Sequence, residues 1–331
     1  MSLKFLMQRY VEINNLHDYE GDRATNIEHV RFYRSKKGHP RHSMMYKSGI
    51  IILGQGHKAI YAGGQRIPYG EGDCLVMGVP MPVECEAFPS HDEPLLGLGI
   101  EIPMALLQKL VGKIKHRYPE RNFSAPNFEM SIRREPIDAK LKCACERLLE
   151  ALCDDLQAEI LGLALLEEVL FFTLMSNSGD TLFTLADQEG RYGRIASVLE
   201  EIHTNYPSAL NVSDLAAAAN MSVSSFHTAF RNVTLESPIQ YIKKVRLNKG
   251  RELICFEGKR VNEAADLVGY ASVAQFSREF KRQFNLAPKD AVNALNWDQN
   301  AKARHRDLAF NKIDKLFKIL PKSIINSSTS I

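Results

Sequence analysis

Apolar residues fall into three successive patterns along the chain, and each predicts a different kind of element. Between Ser48 and Ile102 they form short runs broken by glycine: Gly49-Ile50-Ile51-Ile52-Leu53-Gly54, Ala59-Ile60-Tyr61-Ala62-Gly63-Gly64 and Asp73-Cys74-Leu75-Val76-Met77-Gly78. Runs of this length separated by turn formers predict the strands of a small antiparallel barrel or sandwich. After Pro136 the spacing lengthens to a helical period. Leu141, Cys145, Leu148, Leu149 and Leu152 share one face, and Ile160, Leu163, Leu166, Val169 and Leu170 share a face of a second helix, which predicts a helical hairpin from Ile137 to Met175. Ser176-Asn177-Ser178-Gly179-Asp180 ends the pair, and the turn formers Asp187-Gln188-Glu189-Gly190 predict an interdomain linker. From Tyr192 onward the pattern is almost wholly helical.

That last region repeats itself. Ser222 and Ser272, Phe226 and Phe276, Phe230 and Phe280, and Pro238 and Pro288 stand 50 residues apart, whereas Leu215-Ala216 and Ala264-Ala265 are offset by 49, so the second copy's turn is one residue longer. Each copy reads as a short helix of small residues, a tight turn, and a second helix opened by a serine able to cap its free N–H groups. Gly269 suits the left-handed conformation of such a turn. Phe226 with Phe230, and Phe276 with Phe280, are i and i+4 and form inward stripes. The outward faces then carry Ser224, Ser225, His227, Thr228 and Arg231 in one copy, and Ala274, Gln275, Ser277, Arg278 and Lys281 in the other. One such helix alone reads as a solvated face. Two copies that keep cap, aromatic spacing and trailing proline predict a pair of DNA-recognition helices. The segment from Pro238 through Tyr241, Val245, Leu247, Leu253 and Ile254 predicts a rigid connecting helix, about 27–30 Å long at about 1.5 Å per residue, so that both second helices reach successive major grooves about 34 Å apart.

Charge sharpens the division. Lys and Arg number 21 on each side of residue 190 while Asp and Glu number 26 before it and 13 after, so the first part carries −5 and the second +8. A polyanion partner is expected for the basic part. The 331 residues, with 45% hydrophobic and 24% charged, fit a soluble chain of about two domains. Met1-Ser2-Leu3-Lys4 lacks the pattern of a secretory signal and Ile160 to Met175 is too short and too charged to cross a bilayer, so a cytoplasmic protein without membrane contact is expected. Cys74, Cys85, Cys143, Cys145, Cys153 and Cys255 form no C-x-x-C pair and are expected to be buried thiols.

Residues 192–290 resemble the C-terminal DNA-binding domain of AraC-type transcription regulators. The resemblance rests on Leu215-Ala216 to Met221-Ser222, on Val245-Arg246-Leu247, and on Ala264-Ala265, Val268-Gly269-Tyr270 and Gln275 to Arg282. Gly49 to Pro103 and the helices to Met175 are similar to the N-terminal domain of a subset of that family, on Gly56-His57-Lys58-Ala59, Tyr69-Gly70-Glu71-Gly72-Asp73 and Pro80-Met81-Pro82-Val83. The resemblance implies a multi-domain α and β chain. A cupin-like β-barrel with a helical hairpin, for sensing or dimerisation, occupies 1–186, and a linker 187–191. An all-α double helix-turn-helix domain occupies 192–297, and a helical extension and tail 298–331. It further implies binding to double-stranded promoter DNA, recruitment of RNA polymerase, and control by a small-molecule effector or by a homodimer. Carried onto this chain, Ser224, His227, Thr228, Ala274, Gln275, Ser277 and Arg278 face base edges, while Ser222, Arg231, Ser272, Lys281 and Arg282 face phosphates. Two departures stand out: Glu236 and Asn285 occupy positions where the family usually has a turn glycine, and the first recognition helix holds one arginine.

Other chemistries find little footing. His39, His42, His57 and His91 lack the H-x-H spacing of a metal-binding cupin, and no nucleophile elbow, zincin or phosphate-loop motif is present, so neither an enzyme nor a metal or other cofactor is expected. The rival reading is a ligand-binding or enzymatic cupin whose helical half assembles subunits; a lesser one is an effector-independent regulator with a vestigial barrel. Leu308, Ile313, Leu316, Phe317 and Leu320 predict a last amphipathic helix ending at Pro321.

Overall fold

The computed structural model describes residues 1–90, 93–120, 131–187 and 190–291, so the expected helix between Leu308 and Pro321, the tail, His91 and half of the linker lie outside the described residues. Helix α1 (Leu3–Ile13) leads into strands β1 (Gly21–Ala24), β2 (Val30–Ser35), β3 (His39–Tyr46), β4 (Gly49–Gln55), β5 (His57–Ala62), β6 (Gln65–Gly70), β7 (Asp73–Met77), β8 (Met81–Phe88) and β9 (Leu95–Glu101). Helix α2 (Met104–Arg117) and strand β10 (Ile132–Pro136) follow. Every pairing between these strands is antiparallel, in two sheets ordered β1-β2-β9-β4-β7-β10 and β3-β8-β5-β6. β1 and β10 remain the edges of one sheet and β3 and β6 of the other, so the β-rich region is an open two-sheet structure rather than the closed barrel expected from the resemblance. β4, flanked by β9 and β7, is buried along nearly its whole length, which is why it reads as an unbroken Ile50-Ile51-Ile52-Leu53 run. α1 lies against that strand at Gly54, where a Cβ would stand 2.5 Å from Met7 Sδ.

The hairpin is formed by α3 (Ala139–Leu152) and α4 (Asp155–Met175), each opened by an aspartate whose side chain accepts a backbone N–H, Asp138 from Leu141 and Asp154 from Gln157. Leu141, Cys145, Leu148, Leu149 and Leu152 are buried as expected. On α4 the buried set is Ala158, Gly162, Leu166, Val169, Leu170, Thr173 and Leu174, so Leu166, Val169 and Leu170 of the expected stripe face inward while Ile160 and Leu163, 67% and 63% exposed, do not, which corrects that stripe. The reason lies in the sequence: leucine and isoleucine occur on every side of α4, so its period does not single out the side that packs. Among the cysteines, Cys74, Cys85 and Cys145 are buried, Cys153 and Cys255 are half-buried, and Cys143, two residues from Cys145 on the outer side of α3, is exposed, contrary to the expectation of six buried thiols.

Beyond α5 (Gly179–Ala186) come α6 (Arg191–Asn205), α7 (Val212–Ala218), α8 (Val223–Thr234), α9 (Pro238–Cys255), α10 (Val261–Leu267), α11 (Val273–Phe284) and a 3-10 turn at Pro288–Asp290. No helix among the described residues is long and apolar enough to cross a membrane. The apolar core does not stop at the linker. One continuous cluster runs from Leu3 through the two sheets and the hairpin to Phe226, Phe230, Tyr241 and Val245. A second cluster, from Leu247 to Ala291, belongs to α10, α11 and the end of α9. The first helix-turn-helix copy thus shares its core with the β-rich region, and the second has its own.

Candidate nucleic-acid interface

The two copies are built by the same local devices. α7 and α10 each end before a left-handed residue, Asn220 (φ 51°) and Gly269 (φ 81°), and a Cβ on Gly269 would stand 2.2 Å from Pro207 O. Buried Ala216 and Ala219 in one copy, and Ala264 and Ala265 in the other, let the two helices of each copy meet closely. Ser222 Oγ then accepts from the Ser225 amide at 3.2 Å, and Ser272 Oγ from the Gln275 amide at 3.3 Å. Phe226 and Phe230 lie fully buried with ring centroids 5.4 Å apart, as do Phe276 and Phe280 at 5.5 Å. The second helix of each copy ends on a left-handed residue, Leu235 (φ 61°) and Asn285 (φ 59°). In the first copy this is Leu235, not the Glu236 marked from sequence, because it is the Leu235 amide that closes the helix on Arg231 O at 2.8 Å. Leucine pays for that conformation by contact: Gly63 of the β5–β6 turn lies so close that a Cβ there would be 2.9 Å from Leu235 Cδ1.

With the phenylalanines inward, the opposite faces are open. Ser222, Ser224, His227, Thr228 and Arg231 on the first copy are exposed, as are Ser272, Ala274, Gln275, Arg278, Lys281 and Arg282 on the second, while Ser277 is half-buried. Some of their hydrogen-bonding capacity is already used. Thr228 Oγ1 donates to Ser224 O at 3.2 Å, Gln275 Nε2 donates to Glu279 Oε1 at 3.3 Å, and each capping serine, with one lone pair used, keeps its hydroxyl proton and a second lone pair for another partner.

Two supporting side chains escaped the sequence reading. Arg246 on α9 donates from Nε to Tyr206 O at 2.8 Å, from Nη2 to Ser208 O at 2.8 Å and from Nη1 to Gly269 O at 3.2 Å, tying the loop before α7 to the turn before α11. Its place inside the Val245-Arg246-Leu247 block marked it as part of the pattern without revealing this role. Glu279 accepts from Tyr270 Oη at 2.8 Å and from Lys243 Nζ at 3.1 Å, bracing α11 against α9. Partial burial raises the Glu279 carboxyl, but the bonds from Tyr270, Gln275 and Lys243 outweigh it and hold it below the ordinary glutamate value.

The helical region is also joined to the sheets by polar contacts. Tyr241 Oη donates to Pro80 O at 2.7 Å, Ser131 Oγ to Val233 O at 2.5 Å, Arg251 Nη1 to Ser43 O at 3.1 Å and Gln283 Nε2 to Ser43 Oγ at 2.6 Å. Between the four-stranded sheet and helices α8, α9 and α11 lies a cleft of about 470 Å³.

A family model described as the AraC-type transcriptional regulator N-terminus matches residues 26–181, and one described as a helix-turn-helix domain matches residues 215–294. The HTH-type transcriptional activator RhaS of Yersinia pestis (strain Pestoides F) is 30% identical over 109 residues, which are 33% of this chain and 39% of that protein. RhaS of Yersinia pseudotuberculosis serotype O:1b (strain IP 31758) matches equally, so the similar stretch spans 39% of the length of these relatives. Among solved structures, ToxT from Vibrio cholerae O395 bound to (E)-4-(8-methylnaphthalen-1-yl)but-3-enoic acid superposes with a TM-score of 0.55 at 13% identity, over 81% of this chain and 98% of that one. Unsaturated fatty acid bound wild-type ToxT from Vibrio cholerae strain SCE256 gives 0.53 at 12% identity, over 80% and 94%. At these identities the likeness is one of fold, and its extent takes in both the β-rich and the helical regions.

Proposed function

Because the chain belongs to the AraC-type transcriptional regulators by its N-terminal and its helix-turn-helix domains, we propose that it is a sequence-specific regulator that binds promoter DNA through α8 and α11. The observation that carries this reading is the duplicated, serine-capped helix pair with phenylalanines inward and polar or cationic side chains outward. Ser224, His227 and Thr228 of α8, with Ala274, Gln275, Ser277 and Arg278 of α11, read base edges. Arg231, Lys281 and Arg282 neutralise phosphates, and the Ser222 and Ser272 hydroxyl protons supply two further phosphate contacts. The protein works in the cytoplasm, engages RNA polymerase from the promoter, and takes a small-molecule effector through its N-terminal domain; the small molecules in the ToxT structures support that last step.

The same reading makes it a dimer. Leu156, Ile160 and Leu163 stand on one side of the first half of α4 and are 66%, 67% and 63% exposed, an apolar patch at helical spacing that ends at Glu167, itself paired with Lys109, and suits the equivalent patch of a second copy. Ile160→Glu is expected to turn a dimer into a monomer in light scattering without loss of helix content; an unchanged dimer refutes this surface.

Gel-shift titration on duplex DNA from upstream of the protein's own gene tests the function. Three phosphate-binding cations give a log–log salt slope of about −3, and Arg278→Ala lowers specific affinity about 10- to 100-fold. Absence of salt-sensitive binding, or an Arg278→Ala variant with unaltered affinity and site preference, overturns the assignment.

A further inference from the structure

The cleft between the four-stranded sheet and the helical region is polar and carries more cations than its own carboxylates neutralise. Arg41 and Lys244 are spoken for, paired with Glu84 and Glu236 respectively. Two arginines on opposite walls remain. Arg66 comes from β6 and donates from Nε to Tyr61 Oη at 3.2 Å; Arg282 comes from α11. Neither has a carboxylate within ion-pair distance among the described residues. Few apolar side chains line the space, so an acyl chain finds little to bury itself against, whereas about 470 Å³ holds a compact polar molecule.

We propose that this cleft binds a small dianion between Arg66 and Arg282, either a dicarboxylate with one carboxylate on each arginine or a phosphate monoester whose phosphate oxygens are shared by the two. A guanidinium presents paired N–H donors that match either anion, and two uncompensated charges in a concave site attract such a ligand beyond their individual contacts.

The position of Arg282 gives the ligand a consequence. It lies one helical turn beyond Arg278 on α11 and next to Gln283, whose side chain holds Ser43 of β3, so it stands on the border between the outward face and the sheet. The second copy has a core of its own and meets β3 through polar contacts such as those of Arg251 and Gln283. A dianion bridging β6 to α11 draws Arg282 toward the sheet and removes it from the phosphate contact assigned to it above, so ligand and DNA oppose one another, reciprocally. This second half rests on the DNA-binding reading; the binding of the dianion does not.

The test uses the full chain. Succinate and glycerol 3-phosphate are titrated by calorimetry and thermal shift, with glycerol as the neutral control and sodium chloride at matched ionic strength. Saturable binding of at least one dianion, weakened about tenfold or more by Arg66→Gln and by Arg282→Gln, is expected. Which of the two binds distinguishes dicarboxylate from phosphate. Absence of saturable binding by both, or binding that survives both substitutions, overturns the site. In gel shifts the bound dianion is expected to weaken DNA affinity of the unaltered protein severalfold and to leave Arg66→Gln unaffected, because that variant no longer holds the dianion. A dianion that binds through these arginines yet leaves DNA affinity unchanged overturns the regulatory half. Failure of the DNA reading itself shows separately, as loss of the gel shift with no dianion present.

Discussion

Tyr241 offers the most direct measure of how firmly the helical region is fixed to the sheets. Its side chain is fully buried, its hydroxyl donates to Pro80 O at 2.7 Å, and His203 Nε2 lies 2.9 Å away. Burial, with lesser contributions from Lys249 and Lys47, depresses His203 to about 4, so the ring is neutral near pH 7 and its Nε2–H donates to the tyrosine oxygen. Tyr241→Phe keeps the ring that packs edge-on against Phe230 at 5.4 Å and opens no sizeable cavity. What disappears is one donor and one acceptor, leaving the Pro80 carbonyl and the His203 N–H without their partner. With about 1 kcal/mol net per hydrogen bond and about 1–3 kcal/mol for a stranded buried group, the loss is about 2–3 kcal/mol. At roughly 2–4 °C per kcal/mol for a unit of this size, the melting temperature falls by about 5 °C or more. Thermal and urea unfolding of the full chain provide the measurement. Tyr270→Phe is the control, since its hydroxyl serves only the second copy through Glu279. A Tyr241→Phe protein that melts within about 1 °C of the unaltered chain would refute the reasoning.

Two further outcomes follow from local chemistry. Ser272→Ala removes the side-chain cap of α11 and is expected to cost about 1 kcal/mol, seen as faster amide exchange in its first turn; unchanged protection of the Gln275 amide contradicts it. Burial, then the neighbouring charge of His42, depresses His39 to about 3, and burial first depresses His203 to about 4. Both folded-state values lie below that of an unfolded histidine, so the unfolded chain binds protons first as pH drops. Their contribution to stability is therefore whole above about pH 6.5, is lost on acidification, and levels off below about pH 4 for His203 and pH 3 for His39. A urea midpoint that does not fall between about pH 6.5 and pH 4 contradicts this assignment.

The sequence and the structure agree most closely where one residue type serves one geometric need. Ser222 and Ser272 cap, Phe226, Phe230, Phe276 and Phe280 point inward, and Gly269 turns left-handed, because each position admits few alternatives. Strands β4, β5 and β7 were legible for a similar reason, as glycine punctuates short apolar runs. Legibility failed where chemistry is uniform or contacts are distant. α4 carries leucine or isoleucine on every side, so its packed face depends on where α3 and Ile27 lie. Arg246, Tyr241 and the cleft arginines act across separations of 20 to more than 200 residues, and no local pattern announces them. The open pair of sheets likewise follows from which strands become edges, a property of the assembled pairing order.

The division of the apolar interior has a practical side for anyone building hybrid chains. Joining a foreign N-terminal domain at the Asp187–Gly190 stretch, where the chain looks easiest to cut, would strip Val233, Tyr241 and their neighbours of the packing they were selected against and leave a sticky scar. The boundary between the two interiors falls within α9, after Val245 and before Leu247. A graft spliced mid-helix there exchanges one helix-turn-helix copy while leaving the other welded to the β-rich region.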